Sequence, residues 1–164
     1  MKNKLIAIDG STQKSGIAYF MCEKFISCDL LDFSKNKIMD SRFNTMSKGL
    51  WKTLNEYKPN IVYMEETYTS RNPQTAKFLT RLQGIVYSWC MNNECEFHTI
   101  APAKWRKTLK FKQGGNVKRE QLKKQSIDYV WEKYKIEVDD DQADAVCIGD
   151  AAIKIMIKER NLIA

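Results

Sequence analysis

Near the C-terminus, VDDDQADAVCIGDAA sets four carboxylates, Asp139, Asp140, Asp141 and Asp144, within six residues. Like charges this close repel, so something must offset them. Asp141 and Asp144 are three apart and would share one helix face, one turn apart. Asp139 and Asp140 suit a helix N-cap, where acids also meet the favourable end of the helix dipole. Capping does not account for Asp144, which sits among Ala143, Ala145, Val146, Cys147 and Ile148. A carboxylate buried there is costly unless it is paired. A hard divalent cation such as Mg²⁺ would pair it, since such ions take oxygen ligands from carboxylates, waters and substrate phosphates. Two such ions about 4 Å apart can clamp the attacking and leaving oxygens of a phosphodiester displacement.

Such a site needs acids from elsewhere in the chain. Asp9 closes the apolar run KLIAID, and Glu65 and Glu66 close NIVYMEE. In a strand, Leu5, Ala7 and Asp9 point one way. Asp9 is read equally well as a turn residue of the Asp-Gly step. Ile61, Tyr63 and Glu65 share one face of the later run and Val62, Met64 and Glu66 the other. Alternation does not choose between the two glutamates, and a plain strand exit would leave both on the surface.

The elements around these acids follow from periodicity and punctuation. Strands are expected at 4–9, 16–22 and 25–33, the last two joined at Glu23-Lys24, as a three-stranded meander. Phe43, Met46, Leu50, Leu54 and Tyr57 predict a helix over 42–57, ended by Pro59. A strand at 60–66 follows, then a helix at 73–93 with Ala76, Leu79, Leu82, Val86 and Trp89 on one stripe. A fifth strand is expected at 95–101. The next segment is broken by Gly114-Gly115, and helices are placed at about 117–134 and 140–158. This order, β-β-β-α-β-α-β-α-α, implies an α/β fold: a mixed five-stranded sheet with helices on both faces, as in ribonuclease-H-like domains.

Composition narrows the partners. The 164 residues suit a single domain spanning 1–164. Net charge is +7, and residues 104–124 alone carry nine Lys/Arg against Glu120, a local +8 that leaves −1 elsewhere. A concentrated basic segment attracts a phosphate backbone, although a solvated lysine-rich face would look the same. Cysteines 22, 28, 90, 95 and 147 form no CxxC pair and His98 stands alone, which argues against zinc and against a disulfide framework. No apolar run reaches the roughly 20 residues of a membrane span, and the N-terminal apolar run is too short for a signal peptide. No membrane partner is expected, and a reducing cytoplasm is the expected setting.

Taken in order, LIAIDGSTQKSGIAYF, IVYMEETY and DDDQADAVCIGDAA resemble the RuvC family of Holliday-junction resolvases, over about residues 3–155. The resemblance implies a homodimeric, Mg²⁺-dependent, structure-selective endonuclease that resolves four-way and other branched DNA by paired symmetric nicks. Two metal ions per site are implied, with Mn²⁺ a candidate substitute. It places metal-binding, catalytic acids at Asp9, Glu65, Asp141 and Asp144, with Lys118 assisting. It places Tyr68 at the junction centre, Arg106 or Lys107, and Lys118, near basics that contact DNA or assist catalysis, and a dimer contact on the 73–93 helix. The basic segment itself adds Lys104, Lys110, Lys112 and Arg119 as expected DNA-phosphate contacts. The Asp9-Gly10-Ser11-Thr12 turn is closer to the phage- and poxvirus-type members than to the family's common Asp-Pro-Gly-Ser. With a Lys/Asn-rich composition, it suggests a phage-encoded protein in a bacterial host. Competing readings are an actin-like ATPase fragment, whose phosphate loop also opens Asp-Gly-Ser/Thr, a non-catalytic junction-binding protein, and a ribonuclease or flap nuclease using the same acids.

Overall fold

The computed structural model describes residues 3–67 and 72–163. Strands β1 (Lys4–Asp9), β2 (Lys14–Met21) and β3 (Lys24–Asp32) form the meander. Helix α1 (Met39–Tyr57), strand β4 (Ile61–Glu65), helix α2 (Pro73–Asn92) and strand β5 (Glu96–Ile100) follow. Helices α3 (Pro102–Thr108), α4 (Arg119–Tyr134) and α5 (Asp140–Ile163) complete the chain. The sheet order is β3-β2-β1-β4-β5. β2 runs antiparallel to β1 and β3, while β4 runs parallel to β1 and β5.

Alternation along the central strands feeds two cores. Leu5, Ala7, Ala18, Phe20 and Tyr63 face α5, with Trp105 of α3 and Val130 of α4 in the same cluster. Ile6, Ile8, Ile17, Val62 and Met64 face α1 and α2, which contribute Met46, Leu50, Leu54, Leu82, Val86 and Trp89. Helices therefore cover both faces, as the sequence predicts. Each fully buried aliphatic side chain contributes about 1.5–3 kcal/mol over its exposed state.

Three details differ from the sequence reading. The β2–β3 turn lies at Cys22-Glu23, one residue earlier, and both residues take positive φ, 49° and 66°. Two left-handed residues match the twist of a two-residue hairpin. The buried stripe of α2 runs through Phe78 rather than Leu79, which is only half-buried. The basic segment contains α3, a seven-residue helix absent from the sequence reading. Pro102 at its first position was the available signal, since proline is pre-set for N1 and lacks only an N–H the helix does not use.

One contact fixes the sheet against α5. Gly16 is the register partner of Asp9. A Cβ at Gly16 would lie 1.9 Å from the Asp141 carbonyl oxygen, inside van der Waals contact with backbone. Only glycine lets the first turn of α5 settle there, beside the end of β1.

Candidate active site

Asp9 ends β1 on the α5 side of the sheet, continuing the face of Leu5 and Ala7. In the parallel pairing, Leu5 opposes Ile61 and Ala7 opposes Tyr63, which carries Glu65 to the same face. Glu66 is exposed, and its N–H donates to the Ile100 carbonyl at 3.0 Å. The α5 helix starts at Asp140, and Asp139 caps it: the Gln142 N–H donates to Asp139 Oδ1 at 2.9 Å, and Gln142 Oε1 accepts from the Asp139 N–H at 3.2 Å. Asp141 and Asp144 then point from the first turns of α5 toward Asp9.

These side chains line one cavity of about 260 Å³, together with Ser11, Arg106, Arg119, Leu122, Lys123 and Asp140. Arg119, Leu122 and Lys123 share a face of α4 at three- and four-residue spacing. Ser11 belongs to a tight β1–β2 turn in which its N–H donates to Ser15 Oγ at 3.0 Å and Ser15 donates back to its carbonyl at 2.8 Å.

The electrostatics are those of crowded, desolvated acids. Burial, then the charges of Glu65, Asp144, Asp141 and Asp140, push Asp9 well above the usual carboxylate range. Burial, then Asp140 and Asp139, push Asp141 up to about 6. Asp144 is also pushed up to about 6, chiefly by burial and further by Glu65, against the opposing pull of the nearby Ser126 hydroxyl and of Arg106. Its Oδ1 is buried with no hydrogen-bond partner. Glu65 is raised by burial against the opposing pull of a Trp105 hydrogen bond and of Arg106. Asp140 differs: burial is outweighed by an ion pair with Lys123, which holds its carboxyl low.

Among the described residues, the three acids whose carboxylate oxygens lie within 4.8 Å of one another are Asp139, Asp140 and Asp141. That trio is already compensated by the cap, by Lys123 on Asp140 and by Lys14, 4.0 Å from Asp139. The quartet Asp9, Glu65, Asp141 and Asp144 is more widely spread, but it holds the orphaned oxygen. Four hard oxygen donors with an uncompensated buried atom fit a divalent cation of the Mg²⁺ class.

The expected basic residues separate into two groups. Arg106 and Arg119 line the cavity, joined by Lys123, which the sequence reading did not single out. Lys118 is exposed at the N-cap of α4 and does not line the cavity; its N–H donates to Gln121 Oε1 at 2.8 Å. Lys104, Lys107, Lys110 and Lys112 are exposed outside it. Tyr68 lies outside the described residues. Trp105 was missed: fully buried, it donates its indole N–H to Glu65 Oε2 at 2.8 Å. A tryptophan inside a basic run looks like a core residue, and only its spatial neighbour shows what its N–H does.

Comparison with known proteins gives consistent results. The family model described as Crossover junction endodeoxyribonuclease RuvC matches residues 8–151. The crossover junction endodeoxyribonuclease RuvC of Prosthecochloris aestuarii is 28% identical over 122 residues, 72% of this chain and 64% of its own length. The match thus spans somewhat under two thirds of that relative. Thermus thermophilus RuvC in complex with Holliday junction substrate superposes with a TM-score of 0.70 at 14% identity, covering 94% of this chain and 96% of that one. The yeast mitochondrial Holliday junction resolvase gives 0.64 at 16% identity, covering 97% and 81%. The fold is therefore ribonuclease-H-like, as expected.

Proposed function

This chain belongs to the RuvC family of crossover junction endodeoxyribonucleases, and on that premise we propose that it nicks branched DNA, four-way junctions foremost, in a metal-dependent reaction. One observation carries the reading. Acids from three separate elements line a single cavity in which the Asp144 oxygen has no partner, beneath Arg106, Arg119 and Lys123.

Asp9, Glu65, Asp141 and Asp144 would hold Mg²⁺. Bound there, the metal would activate water and neutralise charge building on the scissile phosphate. Trp105 holds Glu65 in place through its indole N–H. Arg106 and Arg119 offer guanidinium forks to phosphate oxygens, which they match bidentately. Lys123 keeps Asp140 ionised and turned toward α4. Lys104, Lys107, Lys110, Lys112 and Lys118 lie outward of the cavity, where they would hold backbone phosphates beyond the cut.

A four-way junction has two-fold symmetry, so paired nicks need two sites related by a C2 axis. The α2 helix offers a surface for such a dimer. Gly84, Tyr87 and Met91 lie along one side of it; Tyr87 and Met91 are 49% and 53% exposed, and nothing lies within 4 Å of a Cβ at Gly84. An exposed mid-helix glycine costs about 1 kcal/mol relative to alanine, a cost a close helix approach would offset. Among the described residues no helix is long and apolar enough to cross a membrane. The setting we assign is the cytoplasm of a bacterial host, with a phage as the source, and the single domain is taken to span residues 1–164.

The test is a substrate panel: four-way, three-way, duplex and RNA–DNA hybrid substrates, each with Mg²⁺ and with EDTA. The reading requires symmetric nicks in the four-way junction that chelation stops. Cleavage of the hybrid alone would move the activity to a ribonuclease. Binding without any cleavage would restore the non-catalytic reading.

A further inference from the structure

A second groove lies away from the acidic cavity. About 600 Å³ in volume, it runs between α3 and the C-terminal half of α5 and is lined by Lys104, Lys107, Lys154 and Lys158. Thr108, Ile155 and Leu162 complete its walls, and Glu159 is its one acid. Lys104 and Lys107 are one turn apart on α3, and Lys154 and Lys158 one turn apart on α5.

What sets these four lysines apart is their gathering around one concavity, whereas the ion-paired lysines Lys14, Lys52, Lys123, Lys124 and Lys133 each sit beside an acid. None of the four groove lysines forms an ion pair among the described residues. A merely solvated face gains nothing by gathering four like charges around one concavity. A polyanion seated there would release counterions and turn the repulsion into affinity.

The groove also shares its two helices with the cavity. On α3, Arg106 faces the cavity, while Lys104, about 200° round the helix, faces the groove. On α5, Asp144 faces the cavity, and Lys154 and Lys158 follow about 15 and 21 Å along the helix axis. At one phosphate per 3.4 Å per strand, those distances correspond to roughly four to six base pairs.

We propose that this groove is a second DNA-backbone site, with Lys154 and Lys158 as its determinants, gripping the duplex arm several base pairs from the nick. The proposal rests on the nuclease reading above and deepens it. Neither lysine lines the acidic cavity, so the site acts on arm binding and not on the chemical step.

The experiment measures binding of a fluorescein-labelled four-way junction by anisotropy in EDTA, from 50 to 200 mM KCl. The wild type is compared with Lys154→Ala/Lys158→Ala and with Lys154→Glu/Lys158→Glu. The alanine pair is expected to lower the slope of log K against log salt by about 1.8 and to weaken binding about tenfold to a hundredfold. The glutamate pair should weaken it further. At saturating protein, single-turnover cleavage in Mg²⁺ should match wild type. Wild-type binding and slope in both variants, while the wild type binds and cuts the junction, would overturn the second site and leave the nuclease reading standing. Loss of affinity for an RNA duplex but not for the junction would also overturn it. A wild type that does not bind the junction would overturn the nuclease reading, and this inference with it.

Discussion

The acidic cavity and the basic surface lie on opposite sides of α3 and are built on opposite principles. The cavity is assembled from β1, β4 and α5, whose acids are distant in sequence. Its groups are desolvated, mutually repelling and partly without partners. The basic surface is supplied largely by one stretch of chain, and its lysines are exposed to water. Buried groups that depend on one another fail together, whereas solvated charges act nearly independently. Loss of function should therefore be abrupt in the first region and graded in the second.

The largest expected effect comes from the cavity. Asp9→Asn or Asp144→Asn should reduce single-turnover junction cleavage by at least about 10³-fold, since metal stabilisation of the reacting phosphate is worth several kcal/mol. Junction binding in EDTA should stay near wild type. A variant that binds poorly but cuts what it binds would erase the contrast.

Gly16→Ala probes the cavity without touching an acid. The added methyl group must push against the Asp141 backbone and shift the first turn of α5. Cleavage should fall about 10²-fold, the cost of misplacing catalytic groups by around 1 Å. An alanine variant of wild-type rate would show that the β2–α5 contact does not position Asp141.

Trp105→Phe is the sharper version. It keeps the aromatic packing against Phe111 and removes only the indole N–H on Glu65. Loss of such a supporting hydrogen bond typically costs 10–100-fold in metal affinity. Calorimetry with Mg²⁺ should show weakened binding, and raised Mg²⁺ should recover part of the cleavage rate.

On the basic side, Lys110→Ala and Lys112→Ala should each lower the salt slope of junction binding by about 0.9, with no change in rate at saturation. A tenfold loss in the saturated rate from either would place chemistry where only binding is expected.

The smallest effect is on stability. In the folded protein Asp141 and Asp144 titrate at about 6, above the ordinary value of 3.8. Groups raised in this way favour the folded state at low pH, and that contribution is lost as pH rises from 4 through 6. In EDTA the melting temperature should therefore fall across this interval, apart from titrations elsewhere. Asp144→Asn should flatten the fall, and at pH 7 it should melt about 2–4 °C higher than wild type. A melting temperature in that variant equal to or below wild type would mean that Asp144 is not strained.

Much of the fold was legible because it depends on local pattern. The alternation Leu5, Ala7, Asp9 gave the side of β1 on which its acid stands, and the three-residue step from Asp141 to Asp144 gave their shared helix face. The choice between Glu65 and Glu66 was not legible from alternation. It depends on which face of β4 meets α5, and that follows from the parallel register that pairs Ala7 with Tyr63. The basic residues were legible as a charge cluster but not as individuals. Lys118 stands exposed at the N-cap of α4 while Lys123 lies inside the helix on the face turned to the cavity, and which residue takes which place depends on where α4 begins. Lys154 and Lys158 lie far from the basic run in sequence, so no local count of charge joins them to Lys104 and Lys107.

The central claim is that the quartet, and not the half-buried Asp139–Asp141 trio that shares Asp141 with it, is the metal site. Anomalous diffraction from crystals soaked in Mn²⁺ tests it most directly. The account predicts anomalous density inside the cavity bounded by Asp9, Glu65, Asp141 and Asp144, and its loss in Asp144→Asn. Density confined to the Asp139–Asp141 cluster, or none in the cavity at saturating Mn²⁺, would contradict it.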